Sequence, residues 1–197
     1  AELERRLPQW EAAGLLPNEP YPEQSNDPRP RIYGMPTWAS FFSPRQLLAM
    51  LTYVEVMHRL TDAVRDEVEA PRSYAIETFL AMILDKCPNY SSYLASWHAP
   101  RSVMRSVFDR HDFSFKWTYG EFDAAGNLLP WAIDQVIDAY KGMAELTGST
   151  QYALWGQPGN TPVDRLCISQ GSATDLNHIA SGSIHNITFD PPYYDNV

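Results

Sequence analysis

The sequence predicts an α/β chain in which a long helical block precedes the start of a parallel sheet. Apolar residues recur at three- and four-residue steps through residues 44–70, 73–86 and 130–146, which is the pattern of amphipathic helices. Two short apolar segments, residues 166–170 and 183–189, then flank a turn-forming stretch. Strand, short helix and strand in that order are typical of a parallel α/β unit.

The first predicted region, residues 1–36, contains a short amphipathic helix and a proline-rich linker. The helix covers residues 2–13 and ends at Gly14. Six prolines follow between residues 17 and 36. Proline at that density sustains neither a helix nor a central strand, because it has no amide donor and a fixed φ. We therefore expect an extended linker.

The second predicted region, residues 37–150, is the helical block. Its first long helix begins at Ser43 and Pro44, because a serine caps the free amides of the first turn and a proline loses no hydrogen bond there. Pro71 is expected to end this helix, and Pro88 to end the next one.

Between the second and the last long helix, residues 90–110 are rich in Tyr, Trp and Arg. Interleaved aromatic and basic side chains can bind nucleic acid. The alternative is helix packing, in which long Arg stems cover apolar surface. The net charge of −9, from 15 basic and 24 acidic residues, excludes a basic nucleic-acid coat over the chain. We therefore favour packing and leave a local nucleic-acid contact open.

Composition and cysteine usage predict a cytoplasmic protein that is not inserted in a membrane. The sequence has no run of about 18 apolar residues, and its first ten residues lack the apolar core of a signal peptide. Cys87 and Cys167 have no metal-binding spacing, so we expect two reduced core cysteines. The five histidines include no HxxxH pair, so no metal site is predicted.

The third predicted region, residues 151–197, carries the two strands and stops just after the second one, in FDPPYYDNV. A natural domain rarely ends at such a point, so we expect an internal fragment of a longer protein. Ligand sites of parallel sheets lie beyond the carboxyl ends of the strands. Asp190 is therefore placed where a functional loop is expected.

The sequence Asp-Pro-Pro-Tyr, residues 190–193, combines groups that would hold a planar ring bearing an amino group. The carboxylate of Asp190 and the carbonyl of Pro191 are acceptors, Pro192 stiffens the turn, and Tyr193 offers a stacking face. An adenine or a cytosine fits this description. Holding both amino hydrogens would turn the nitrogen lone pair out of conjugation, toward an electrophile. The alternative reading is a plain strand-ending turn.

These four residues match the catalytic motif of the amino-methyltransferases, which methylate exocyclic amino groups with S-adenosylmethionine. Two further strings accompany FDPPYYDNV, namely GMPTWASFFSPRQLL at residues 34–48 and YSSYLASWHAPR at residues 90–101. Together they resemble a prokaryotic family of adenine-specific DNA methylases. Members are often encoded near phage-defence genes, and some carry a zinc ribbon. The resemblance covers residues 7–197.

The resemblance implies a Rossmann-like methyltransferase sheet, with S-adenosylmethionine as cofactor and a helical insertion between its second and third strands. The two strands of this chain would be the third and fourth. The turn at Ser172 and Ala173 would approach the cofactor adenine. Many relatives have an acidic residue where this chain has Ser172, and Asp175 is a carboxylate that could replace it. The glycine-rich cofactor turn lies upstream in that family, and the ten glycines here include no GxG pair.

The predicted function is methylation of adenine in DNA by the longer chain, with the fragment alone inactive. The expected partners are DNA and, as further candidates, defence-system proteins. Two other functions stay open. The same motif serves enzymes that methylate an RNA base or a protein glutamine. The helical block could instead be a non-catalytic interaction module of a defence complex.

Overall fold

The computed structural model describes residues 1–25, 27–109, 115–147 and 169–190 of the 197-residue chain. These ranges form a mixed structure in which helix predominates over strand. The elements in chain order are α1 (Glu2–Ala12), α2 (Arg29–Ile32), α3 (Pro44–Glu67), α4 (Ala70–Lys86), β1 (Ser96–His98), β2 (Val103–Arg105) and α5 (Leu128–Thr147). None of the helices described is long and apolar enough to cross a bilayer. The chain divides into two compact units, Ala1–Asp138 and Ala139–Val197.

The longest helix of the first unit, α3, begins as the sequence predicts. The Ser43 hydroxyl oxygen accepts a hydrogen bond from the Gln46 amide at 3.2 Å, and the Gln46 side-chain oxygen accepts one from the Ser43 amide at 2.9 Å. This reciprocal pair satisfies two backbone donors at the helix end. Pro44 occupies the first turn, where its missing N–H has no intrahelical partner to lose.

Two apolar clusters join α3 to the helices around it. At one end of α3, Trp10 of α1 is buried against Leu47 and Leu51, and the Arg6 guanidinium lies 4.2 Å from the Trp10 ring centroid. The other cluster joins α3 to α4 and α5. Its buried members are Met50, Tyr53, Met57, Ile83, Cys87, Leu128 and Ala132. Removal of these side chains from water is the main term that stabilises the helical unit.

Two predictions about the proline-containing segments need correction. Pro71 does not end α3, which stops at Glu67; it lies in the first turn of α4. A proline is accepted there for the same reason as at Pro44. The linker is not extended throughout, since α2 forms one helical turn within it. Extended backbone is found at Pro20, which pairs with Thr37 in an isolated antiparallel bridge.

The sheet found in the described ranges is an antiparallel hairpin, and it lies where helix packing was predicted. Strand β1 pairs with β2 in the register Ser96 with Arg105, Trp97 with Met104 and His98 with Val103. A 3₁₀ turn, Ala99–Arg101, joins the strands. Ser102 closes the connection at a φ of 50°, a left-handed conformation that few non-glycine residues adopt.

In the second unit, residues 169–190 form turns and exposed backbone. The strand predicted at residues 183–189 is not formed, and neither is a strand at residues 169–170, the described end of the other one. A strand needs a neighbour to accept and donate its ladder hydrogen bonds, and the described residues provide none here. The helix or turn predicted at residues 175–181 is a set of turns. Residues 166–168 lie outside the described ranges.

Candidate functional site

The residues of the proposed catalytic loop are described only as far as Asp190. Its side chain is exposed, and it follows Phe189, whose exposed fraction is 79%. Pro191, Pro192 and Tyr193 lie outside the described residues. Ile184 and Ile187, which precede them, are also exposed. A row of exposed apolar side chains ahead of Asp190 is unusual, because such residues gain free energy when they are buried.

The three proposed cofactor-binding residues lie together in one tight turn. The Asp175 amide donates to the Ser172 carbonyl at 3.0 Å, and Ala173 lies between them. The Ser172 hydroxyl is 2.8 Å from the Thr174 hydroxyl, and the Asp175 carboxylate accepts the Asn177 amide at 3.3 Å. All three proposed residues are exposed. In the ranges described, no hydrogen bond joins this turn to Asp190.

The first unit contains a cleft that the sequence does not predict. Its volume is about 710 Å³, within the range of about 300–1,000 Å³ that is common for ligand sites. Its lining comes from the hairpin, from the residues before α5 and from the start of that helix. Its apolar lining is Tyr90, Trp97, Val103, Met104, Phe122 and Trp131.

The hairpin places Trp97 on the cleft through its register. Trp97 is paired with Met104, and residues directly opposite in an antiparallel pair point to the same side. Met104 lies close to Gly120, where a Cβ would come within 2.3 Å of the Met104 Cε atom. A side chain at position 120 would therefore displace Met104. Trp97 itself is 55% exposed.

Another part of the cleft lining is an aromatic wall made of Tyr90, Phe122 and Trp131. The rings of Tyr90 and Trp131 meet edge to face with centroids 4.8 Å apart. Phe122 lies 5.4 Å from Trp131 at an interplanar angle of 33°. The ammonium group of Lys86 is 5.4 Å from both the Tyr90 and the Trp131 centroids. The wall thus combines flat apolar rings with one nearby positive charge.

The two acidic residues at the cleft are engaged in structural contacts. Glu121 accepts hydrogen bonds from the Ser43 hydroxyl at 2.7 Å and from the Arg45 guanidinium at 3.0 Å. Asp123 accepts the Gly126 amide at 3.1 Å and the Asn127 side-chain amide at 2.6 Å, just before α5. Arg45 offsets the charge of Glu121, whereas the donors to Asp123 are neutral amides.

A second cleft, of about 550 Å³, lies along α3 and is also lined by residues 121–125, which precede α5. The Tyr53 hydroxyl there donates to the Ala124 carbonyl. Burial raises the pKa of Tyr53 to about 12, with a smaller contribution from Cys87 and Asp123. Cys87 itself is buried, and burial raises the pKa of its thiol to about 11. These groups stay protonated at neutral pH, so they are suited to packing and not to acid–base chemistry.

The aromatic and basic segment differs from its prediction. Residues 96–105 form a hairpin, so the interpretation as helix packing is wrong for them. Trp97 and Arg101 of this hairpin are exposed. The two strands have three residues each, so their alternation of exposed and half-buried residues is too brief to predict a strand from the sequence. Among the described residues, no cluster of His, Cys, Asp or Glu could hold a metal ion.

Comparisons with known proteins give no relative for this chain. No family model matches it, and no curated protein and no solved structure does either.

Proposed function

We propose that this chain is part of a longer S-adenosylmethionine-dependent methyltransferase that acts on the exocyclic amino group of adenine in DNA. The observation that carries the proposal is the sequence of residues 190–193, Asp-Pro-Pro-Tyr, placed after an apolar segment. The exposure of Asp190 supports it, because a carboxylate that receives a substrate amino group has to be accessible.

The exposed apolar residues before Asp190 also support the proposal, because they indicate that this segment packs against a part of the longer chain. Ile184, Ile187 and Phe189 are more than half exposed in the chain as it stands. In a Rossmann-like sheet a strand of this composition is buried between neighbours. The proposal therefore assigns residues 183–189 to a sheet that a longer chain completes, and the methyltransferase sheet belongs to that longer chain.

The proposed chemistry needs only positioning by this chain's own groups. The Asp190 carboxylate and the Pro191 carbonyl would each accept one hydrogen of the adenine amino group, and Tyr193 would stack on the base. A base in a duplex has to be flipped out to reach such a loop. The nitrogen lone pair would then lie out of the plane of the ring and form a bond to the electrophilic methyl carbon that the cofactor supplies. The S–C bond of the cofactor would break, so that its thioether leaves, and the amino nitrogen would lose one proton to solvent. Most of the rate enhancement would come from this orientation.

The residues present fit part of a cofactor site. Ser172, Ala173 and Asp175 form one exposed turn, and Asp175 offers a carboxylate to a ribose or an amino group. The chain has no GxG pair to supply a close backbone approach. A glycine-rich turn of the longer chain would therefore have to complete the site, and the 197-residue chain alone is expected not to bind the cofactor at micromolar concentration.

The test is labelled-methyl transfer by the longer chain, with duplex DNA, RNA and protein offered in parallel. We expect label in DNA, and a loss of at least about 100-fold in the Asp190→Ala variant, since an oriented acceptor is removed. Asp66→Ala, which changes an exposed carboxylate on α3, is the matched control and should keep full activity.

The other functions correspond to other outcomes of the same assay. Label found in RNA alone or in protein alone would support methylation of an amino group but would show that the substrate is not DNA. Absence of both transfer and cofactor binding would contradict the proposal and favour an interaction module. Micromolar cofactor binding by the 197-residue chain would contradict the incomplete cofactor site.

A further inference from the structure

We propose that the cleft beneath the β1–β2 hairpin binds an unpaired nucleobase of a phosphate-linked strand, with Trp97 as the stacking residue. This site lies within the first unit and uses no residue of the Asp190 loop. It therefore goes beyond the proposed methyl transfer, and its binding can be measured without cofactor.

The lining of the cleft suits a flat ring. Trp97 is 55% exposed and lines the cleft together with the aromatic wall of Tyr90, Phe122 and Trp131. Aromatic side chains bind unpaired bases by stacking, which tolerates every base because each has a π face. A single base needs far less space than the 710 Å³ of the cleft, so its neighbours along the strand could enter as well.

The charge along this part of the chain suits a polyanion, although the whole chain is acidic. Residues 86–108 contain no Asp or Glu, and they include Lys86, Arg101 and Arg105. Arg101 is exposed in the turn that joins the two strands, close in sequence to Trp97. A guanidinium at the end of a hairpin is suited to a phosphate of the strand whose base enters the cleft.

The same charges disfavour a cationic ligand such as a methylated lysine. Aromatic cages bind ammonium groups through the faces of their rings. Here the Lys86 ammonium already lies 5.4 Å from the centroids of both Tyr90 and Trp131. A second cation at these rings would be repelled. Glu121 offers little compensation, because it is already paired with Arg45.

The test is the fluorescence anisotropy of short labelled oligonucleotides titrated with the chain. Single-stranded DNA, single-stranded RNA and duplex DNA are compared, so that the source of the base is identified. We expect the single strands to bind more tightly than the duplex. Trp97→Ala should raise the Kd for single strands by roughly 5- to 150-fold, the range expected for loss of one stacked base.

Three further variants distinguish stacking on Trp97 from loss of folding and from non-specific binding. Trp97→Phe keeps an aromatic face and should restore most of the affinity. Trp117→Ala removes another exposed tryptophan of the same unit, outside the cleft lining, and should leave the Kd unchanged. Arg101→Gln should weaken binding and flatten the slope of log K against log salt by about 0.7, the share of one phosphate contact. Far-UV circular dichroism checks that each variant is folded.

Several results would overturn the proposal. These are the absence of single-strand binding, a preference for duplex DNA, or equal Kd values for Trp97→Ala and the unchanged chain. Binding of a trimethyl-lysine peptide in place of the oligonucleotides would also overturn it. Loss of methyl transfer in Asp190→Ala, with oligonucleotide binding intact, would leave both proposals standing.

Discussion

Tyr53 and Cys87 are two weakly acidic side chains in the core of the helical unit. Both are buried, the Tyr53 hydroxyl donates to the Ala124 carbonyl, and the Cys87 thiol lies 3.5 Å from the Ile83 carbonyl. The fold therefore favours their protonated forms. Burial raises the pKa of Tyr53 from 10.0 to about 12 and that of Cys87 from 9.0 to about 11.

These shifts predict a loss of stability in alkaline solution. A folded pKa above the unfolded value means that the unfolded chain releases its proton first, so stability is complete below pH 9 and falls as the pH rises to 11. The thiol alone should lower the free energy of unfolding by about 1–2 kcal/mol over this interval. Urea denaturation at pH 8.5 and pH 11 measures it. Cys87→Ala is the control and should lose less; a stability that rises with pH would contradict the assignment.

At the level of elements, the residues that cap α3 also contact the segment at residues 121–123, which lines both clefts. The Ser43 hydroxyl accepts the Gln46 amide and donates to Glu121, while Arg45 holds the other oxygen of the same carboxylate at 2.8 Å. Ser43 is 3% exposed, so its hydrogen bonds are shielded from water. One small side chain thus positions both a helix end and an acidic loop residue.

Ser43→Ala should therefore destabilise the chain by about 1–2 kcal/mol, the usual cost of losing an N-cap. Equilibrium urea denaturation gives the difference in the free energy of unfolding. Ser43→Thr keeps the hydroxyl and should recover most of the loss. Equal stability of the alanine variant and the unchanged chain would show that the cap contributes nothing.

The helices of the first unit could be predicted, and the hairpin could not. Apolar periodicity and the Ser43–Pro44 pair are local signals, so they predict the start of α3 correctly. The role of Pro71 is ambiguous in the sequence, because proline residues are found both after the end of a helix and in the first turn of the next one, where Pro71 lies. Three-residue strands carry too little alternation to be detected, and the cleft depends on contacts such as Met104 against Gly120 that are distant in sequence.

For the whole molecule, the predicted parallel sheet shows the limit of local patterns. Residues 183–189 have an apolar composition typical of a buried strand, yet they are exposed and unpaired in the described chain. Strand formation depends on neighbours, which a pattern within one segment does not supply. For the candidate site, the chemistry of residues 190–193 could be argued from the sequence, whereas the position of Asp190 relative to the Ser172 turn could not.

The central claim is that a longer chain containing Asp190 methylates the exocyclic amino nitrogen of adenine. The most direct measurement is mass spectrometry of nucleosides from DNA that has been incubated with that chain and S-adenosylmethionine. The account predicts N6-methyladenine with the unchanged chain and a loss of at least about 100-fold with Asp190→Ala, which removes the side-chain acceptor of the amino hydrogen. Methylation at a ring atom, or N6-methyladenine that persists in the variant, would contradict it.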